Sequence, residues 1–196
     1  MDSLKKEKEA ARAGLRVRRK QAAESGAVEA AFSLRDVFMS RFFCPQGLLI
    51  ASYIPQGSEI DPMPLLEVLE NKGHKFCLPC TAEGNSSLVF RAYRFGDPFH
   101  LGKKGIPEPV PSSPIVYPDM MLVPLVGFDR SGHRLGQGGG YYDRTLKQHR
   151  AYKKVIAVGL AFATQEEPKL PFGENDAPLD AVVTEKEVLK FSPSCE

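Results

Sequence analysis

Apolar and polar positions recur along this chain with two different periods, and each change of period marks an element. Residues 4–23 are rich in Ala, Lys, Arg and Glu and contain no proline, which predicts a helix that Ser25-Gly26 ends. A second helix is predicted over residues 27–43, with Val28, Phe32, Val37, Phe38 and Met39 as its apolar stripe. Cys44-Pro45-Gln46-Gly47 reads as a turn. The run at 48–54 is short and almost wholly apolar, as a strand buried on both faces should be. Pro62 or Pro64 then opens a helix running to about Asn71, ahead of Gly73. Residues 75–79 and 87–93 are further strands. Residues 94–118 are rich in Gly and Pro and lack periodicity, which predicts a long ordered loop with one short helical turn. The strongest apolar strand is 120–128, although it contains Pro124. A helix at 141–150 and strands at 155–161 and 181–184 complete the pattern.

Strands alternating with helices imply α/β architecture: a three-layer α/β/α, Rossmann-like, mostly parallel sheet in a single domain over 1–196. Such sheets bind ligands beyond the carboxyl ends of their strands. The loops after Ile54 and after Phe128 lie there.

Composition and charge narrow the class. A chain of 196 residues buries roughly 70 % of its unfolded surface and needs no covalent staples. A net charge of +2 is too small to make nucleic acid or an anionic membrane the main partner. No apolar run approaches the ~20 residues that span a bilayer. The basic first 20 residues include Asp2, Glu7 and Glu9 and have no apolar core, unlike a secretory leader. The four cysteines (44, 77, 80 and 195) therefore read as reduced thiols, and the expected state is a cytoplasmic monomer.

The chemistry concentrates at Gly132-His-Arg-Leu-Gly-Gln-Gly-Gly-Gly-Tyr-Tyr-Asp-Arg144. Glycines 136, 138, 139 and 140 let backbone N–H groups converge on a ligand, and the helix start behind them adds open donors and a positive dipole end. Arg134 can add a charged fork and Asp143 a hard oxygen for Mg²⁺. The competing structural reading is a flexible turn beside a packed tyrosine pair. No Lys-Ser/Thr follows the glycines, so this is not a P-loop. Tyr141 occupies the third glycine position of a dinucleotide fingerprint, so it is not that either.

Glu59 and Asp61 follow the strand at 48–54. Glu59 can accept N–H donors from an amidine-like heterocycle edge, whereas Asp61, just before Pro62, suits a helix cap. Lys8, Arg12, Arg16 and Arg19 share one helix face: a polyphosphate clamp, or simply a solvated surface. Asp176, in the acidic loop before the last strand, can join Asp143 at a metal or merely form a turn. Cys77-Leu-Pro-Cys80 has redox spacing but lies in a strand, which favours inert thiols. Two other functions fit parts of the pattern: a phosphate-binding enzyme of the sugar-phosphate isomerase or CoA-transferase type, and a nucleic-acid-binding module built on the basic helix.

Taken together, these pieces resemble the 5-formyltetrahydrofolate cyclo-ligase family over nearly the whole chain. The residues 132–144 look like the family's G-x-R-L-G-x-G-x-G-[YF]-Y-D motif, and Lys8-x-x-x-Arg12 resembles its nucleotide-contacting start. The resemblance implies an ATP- and Mg²⁺-dependent ligase converting 5-formyltetrahydrofolate to 5,10-methenyltetrahydrofolate. It implies ATP contacts from Lys8, Arg12, Arg134, Leu135, Gly136, Gln137, Gly138, Gly139, Gly140, Tyr141 and Tyr142. It implies folate contacts from Ile54, Glu59 and residues 137–141, and metal contacts from Asp143 and Asp176. Gln137 and Gly139 stand where relatives often carry larger or basic side chains, so no side-chain phosphate contact can come from position 139.

Overall fold

The computed structural model describes residues 2–82, 86–102 and 105–191. In chain order the elements are α1 (Asp2–Arg41), β1 (Leu49–Ala51), α2 (Met63–Asn71), β2 (Lys75–Cys80), β3 (Val89–Tyr93), β4 (Phe99–Leu101) and β5 (Pro107–Pro109). There follow β6 (Met120–Pro124), β7 (Gly127–Phe128), β8 (Arg134–Leu135), α3 (Tyr141–Arg150), β9 (Ile156–Leu160), β10 (Ala181–Val183) and β11 (Val188–Lys190). A seven-stranded sheet in the order β11-β10-β9-β6-β1-β2-β3 forms the centre. Its inner pairings are parallel, and β3 and β11 close the two edges antiparallel.

The central strands are apolar on both faces because both are covered. On β6, Met120 and Leu122 join one core layer with Leu34 and Phe38 of α1 and Leu65 and Leu69 of α2. Met121 and Val123, pointing the other way, join a second layer with Leu146 of α3. This is the expected three-layer α/β/α arrangement. A third cluster, of Leu15, Val126, Leu135 and Leu170, seats the first half of α1 beyond the carboxyl edge of the sheet. Gly127 makes that seat possible, since a Cβ there would lie 2.5 Å from the Leu15 Cδ1.

The structure corrects several expectations. The backbone is non-helical at Gly26, which divides α1 where the sequence places the break. The buried stripe of its second half is Ala31, Leu34 and Phe38, continued by Phe42 just beyond its end, while Val28 and Phe32 are 64 % and 44 % exposed. The inward face is centred on the 31/34/38 spacing, and Val28 and Phe32 lie to one side of it. β1 is shorter than 48–54 because the chain leaves the ladder at Tyr53, whose hydroxyl donates to the Ile60 carbonyl at 2.7 Å. The apolar stretch 120–128 is two strands: Pro124 has no N–H to extend the ladder, and the chain turns into the β7–β8 hairpin. The 94–118 segment carries no helical turn among its described residues. It forms the antiparallel pair β4–β5, because residues preceding prolines 107 and 109 favour extended backbone.

Candidate active site

The glycine loop runs from β8 into α3 at the carboxyl edge of the sheet. Gly138 (φ 107°) and Gly140 (φ 65°) occupy left-handed conformations that other residues rarely adopt. Gly140 is the N-cap of α3 and offers no side chain, so no capping side chain competes with a ligand for the first-turn N–H groups. At Gly139 a Cβ would fall 2.8 Å from the Tyr141 ring, so this stretch cannot carry a side chain without moving the tyrosine.

On the basic face of α1, Lys8, Arg12 and Arg19 are wholly or partly buried, while Arg16 is exposed. Arg12 Nε donates to the Gly136 carbonyl at 2.8 Å, and Arg16 donates to the Gln137 carbonyl and side chain, both at 3.3 Å. Lys8 Nζ spans both oxygens of Asp176, at 2.6 and 2.5 Å. Arg19 is buried, donating to Ser58 Oγ at 3.1 Å, the Leu125 carbonyl at 3.2 Å and Glu59 Oε1 at 3.5 Å. Burial lowers the Arg19 pKa, with Glu59 opposing the shift.

Arg134, on β8, lies under the loop with its side chain 3 % exposed. It donates to Asp143 Oδ1 at 2.7 Å, and the same oxygen accepts the Ala177 N–H at 3.1 Å. Arg134 Nε is buried without a partner. Burial also pulls the Arg134 pKa down, against the pull of Asp143. Asp176 additionally accepts the Gly173 N–H at 2.7 Å. The two aspartates expected at a metal are thus each paired with a base. Among the described residues no group of three or more His, Cys, Asp or Glu could hold a metal ion. The donor set fits Mg²⁺ in a narrower sense: this ion commonly takes one or two carboxylates and completes its shell with phosphate oxygens and water. Both hydrogen bonds to Asp143 fall on Oδ1, which leaves Oδ2 facing such a role.

These groups line a cleft of about 1220 Å³, which reaches past the loop to Tyr53, Ile54 and Glu59. That exceeds the usual range for one small ligand, roughly 300–1,000 Å³, and gives room for two. Glu59 Oε2 accepts the Gln56 N–H at 2.9 Å, so both of its oxygens carry a donor from its own chain. Burial raises the hydroxyl pKa values of Tyr53 and Tyr142. The N-cap of α2 is Pro62, and Asp61, one residue ahead of it, accepts the Met63 N–H at 2.9 Å. Cys77 and Cys80 are buried thiols on β2; burial raises both pKa values, that of Cys80 to about 11. Cys195 lies outside the described residues.

The residues that the resemblance assigns to the site all line this cleft: Lys8, Arg12, Ile54, Glu59, Arg134, the loop from Leu135 to Tyr142, Asp143 and Asp176; Arg16, Arg19 and Asp61 do not. Sequence reasoning missed the opposite wall, made by Leu78, Pro79, Thr81, Leu88 and Glu108. Of these only Glu108 falls in 94–118, whose lack of periodicity marked a long loop without naming a residue; Leu78, Pro79 and Leu88 read only as strand positions.

Residues 4–185 match the model of the 5-formyltetrahydrofolate cyclo-ligase family. The 5-formyltetrahydrofolate cyclo-ligase of Escherichia coli K12 is 38 % identical over 149 residues, covering 72 % of this chain and 80 % of that protein. Among solved structures, the 5,10-methenyltetrahydrofolate synthetase of Aquifex aeolicus is 30 % identical with a TM-score of 0.77, covering 94 % of this chain and 92 % of that one. The Mycoplasma pneumoniae 5,10-methenyltetrahydrofolate synthetase shares the fold at 21 % identity and a TM-score of 0.72, covering 91 % and 99 %.

Proposed function

The chain belongs to the 5-formyltetrahydrofolate cyclo-ligase family, an ATP-dependent ligase family, and on that premise we propose how its cleft divides the work. Membership displaces the isomerase, CoA-transferase and nucleic-acid readings. The whole chain acts as one cyclo-ligase domain that converts ATP and 5-formyltetrahydrofolate to 5,10-methenyltetrahydrofolate, ADP and phosphate.

The observation that carries the assignment of sites is the meeting of Lys8, Arg12 and Arg134 at one glycine cradle. Backbone N–H groups of the glycine loop and these three cations receive the phosphates, and Leu135 to Tyr142 line the nucleotide's path. Ile54, Glu59 and residues 137–141 face the folate. Asp143 and Asp176 would hold Mg²⁺, which would neutralise charge on the phosphates. Lys8 and Arg134 would then turn from their aspartate partners to phosphate oxygens, with the buried Arg134 Nε as a further donor.

The chemistry needs positioning more than a protein nucleophile. A formyl oxygen is a poor leaving group until it carries the γ-phosphoryl of ATP. The second folate nitrogen then attacks the formyl carbon, the C–O bond breaks with loss of phosphate, and that nitrogen gives up its proton. Backbone donors and Arg134 stabilise the charge on the transferring group. The test mixes protein, MgATP and 5-formyltetrahydrofolate and follows the methenyl chromophore by absorbance. An ATP-dependent rise that EDTA abolishes is expected; a flat trace overturns the assignment.

A further inference from the structure

β5 brings a charged group to the cleft that the steps above do not use. Glu108 lies in the middle of β5, between two prolines, is 6 % exposed and faces the cleft. Its Oε1 accepts the Thr81 N–H at 2.9 Å. Among the described residues no cation pairs with it, and Thr81 is the side chain's hydrogen-bond donor. The wall around it, Leu78, Pro79, Leu88 and Ile106, is apolar. Gly102 on the neighbouring turn leaves room for it: a Cβ there would sit 2.3 Å from Glu108 Oε1.

A carboxylate has about four acceptor positions, and burying it with one donor is unfavourable unless something else completes the set. Glu59 differs, because both its oxygens already hold donors from the chain. The group that completes Glu108 must bring N–H donors and no negative charge. That excludes the phosphates, which Lys8, Arg12 and Arg134 attract across the cleft. The pterin ring carries an amino group on a carbon between two ring nitrogens. Such guanidine-like N–H groups are strongly polarised donors that match a carboxylate.

We propose that Glu108 determines folate specificity by accepting a hydrogen bond from the 2-amino group of the pterin ring, an inference that rests on reading the cleft as a cyclo-ligase site. Glu108→Gln keeps an oxygen for Thr81 but removes the charge. It should raise the KM for 5-formyltetrahydrofolate about tenfold or more, as loss of a charged hydrogen bond does, and leave the KM for ATP within about twofold. Equal rises in both KM values would mean that Glu108 only supports the wall, and would overturn the proposal. A ligand-side arm requires neither turnover nor a folded variant. By calorimetry, the 2-desamino analogue of 5-formyltetrahydrofolate should bind the wild-type protein about tenfold more weakly than the parent. Equal affinities would also overturn it. A wild-type protein that binds the folate but forms no methenyl product would instead remove the parent assignment and leave the Glu108 contact standing.

Discussion

At Asp143 a single carboxylate oxygen serves two donors, the Arg134 guanidinium and the Ala177 N–H. Asparagine at 143 presents the same oxygen in the same place, so both hydrogen bonds survive the change. What it loses is the charge, toward the cleft and toward the buried Arg134. Asp143→Asn is therefore expected to stay folded with a lowered thermal midpoint, while turnover falls ~100-fold, about 3 kcal/mol of lost charge stabilisation. Circular dichroism melts and the methenyl assay run on one preparation check both halves. Near-normal turnover would take Asp143 out of the metal site. The identity of this residue was legible in the sequence because it follows the glycine motif directly. Its pairing with a buried arginine was not, because that depends on how β8 is folded beneath the loop.

The glycine loop is an element defined by backbone angles. At Gly138 a Cβ would meet nothing closer than 3.6 Å, so space does not forbid a side chain there. The φ of 107° does. Gly138→Ala should thus strain or reshape the cradle by about 1–3 kcal/mol. Measured kinetics should show the KM for ATP rising about tenfold with little change in melting temperature. A KM for ATP equal to wild type would show that the loop's geometry is not what holds the phosphates. Elements of this kind were the most readable part of the chain. The helix predicted at 141–150 spans Tyr141–Arg150 in the structure, and the apolar runs at 75–79 and 155–161 are strands there. The β7–β8 hairpin was not readable: its two-residue strands are too short for any period, and they look like the tail of β6 and the start of the loop. The β4–β5 pair was hidden for a related reason. Its prolines mark extended backbone but do not say what pairs with it, so Glu108 went unnoticed.

Across the molecule, acid should destabilise the fold in two stages. Burial lowers the pKa values of His74 and His149 from 6.5. Below that pH the unfolded chain binds more protons than the folded one, so stability falls as pH falls. Asp129 and Asp119 act lower down. Burial alone would raise their carboxyl pKa values. For Asp129, hydrogen bonds from the Leu170, Ser131 and His133 backbone N–H groups and the His133 ring outweigh it. For Asp119, Lys153 and the Leu49 N–H do. Both folded values lie below 3.8, so this contribution is intact above 3.8 and is lost as pH drops further. Urea midpoints should hold from neutral pH to about 6.5, decline gently below it, and decline again below about 4. A midpoint constant from pH 7 to 5 would show that the two histidines are not buried neutral. The Lys8–Asp176 pair has a consequence of another kind. It joins residues 168 positions apart, and the phosphate cradle lies between the two segments it joins. Contacts so distant along the chain form late, because closing so large a loop costs entropy before the contact returns any. During refolding the sheet and α3 can form while this pair is still open, so Lys8 is expected to reach its place beside the glycine loop only in the last stage.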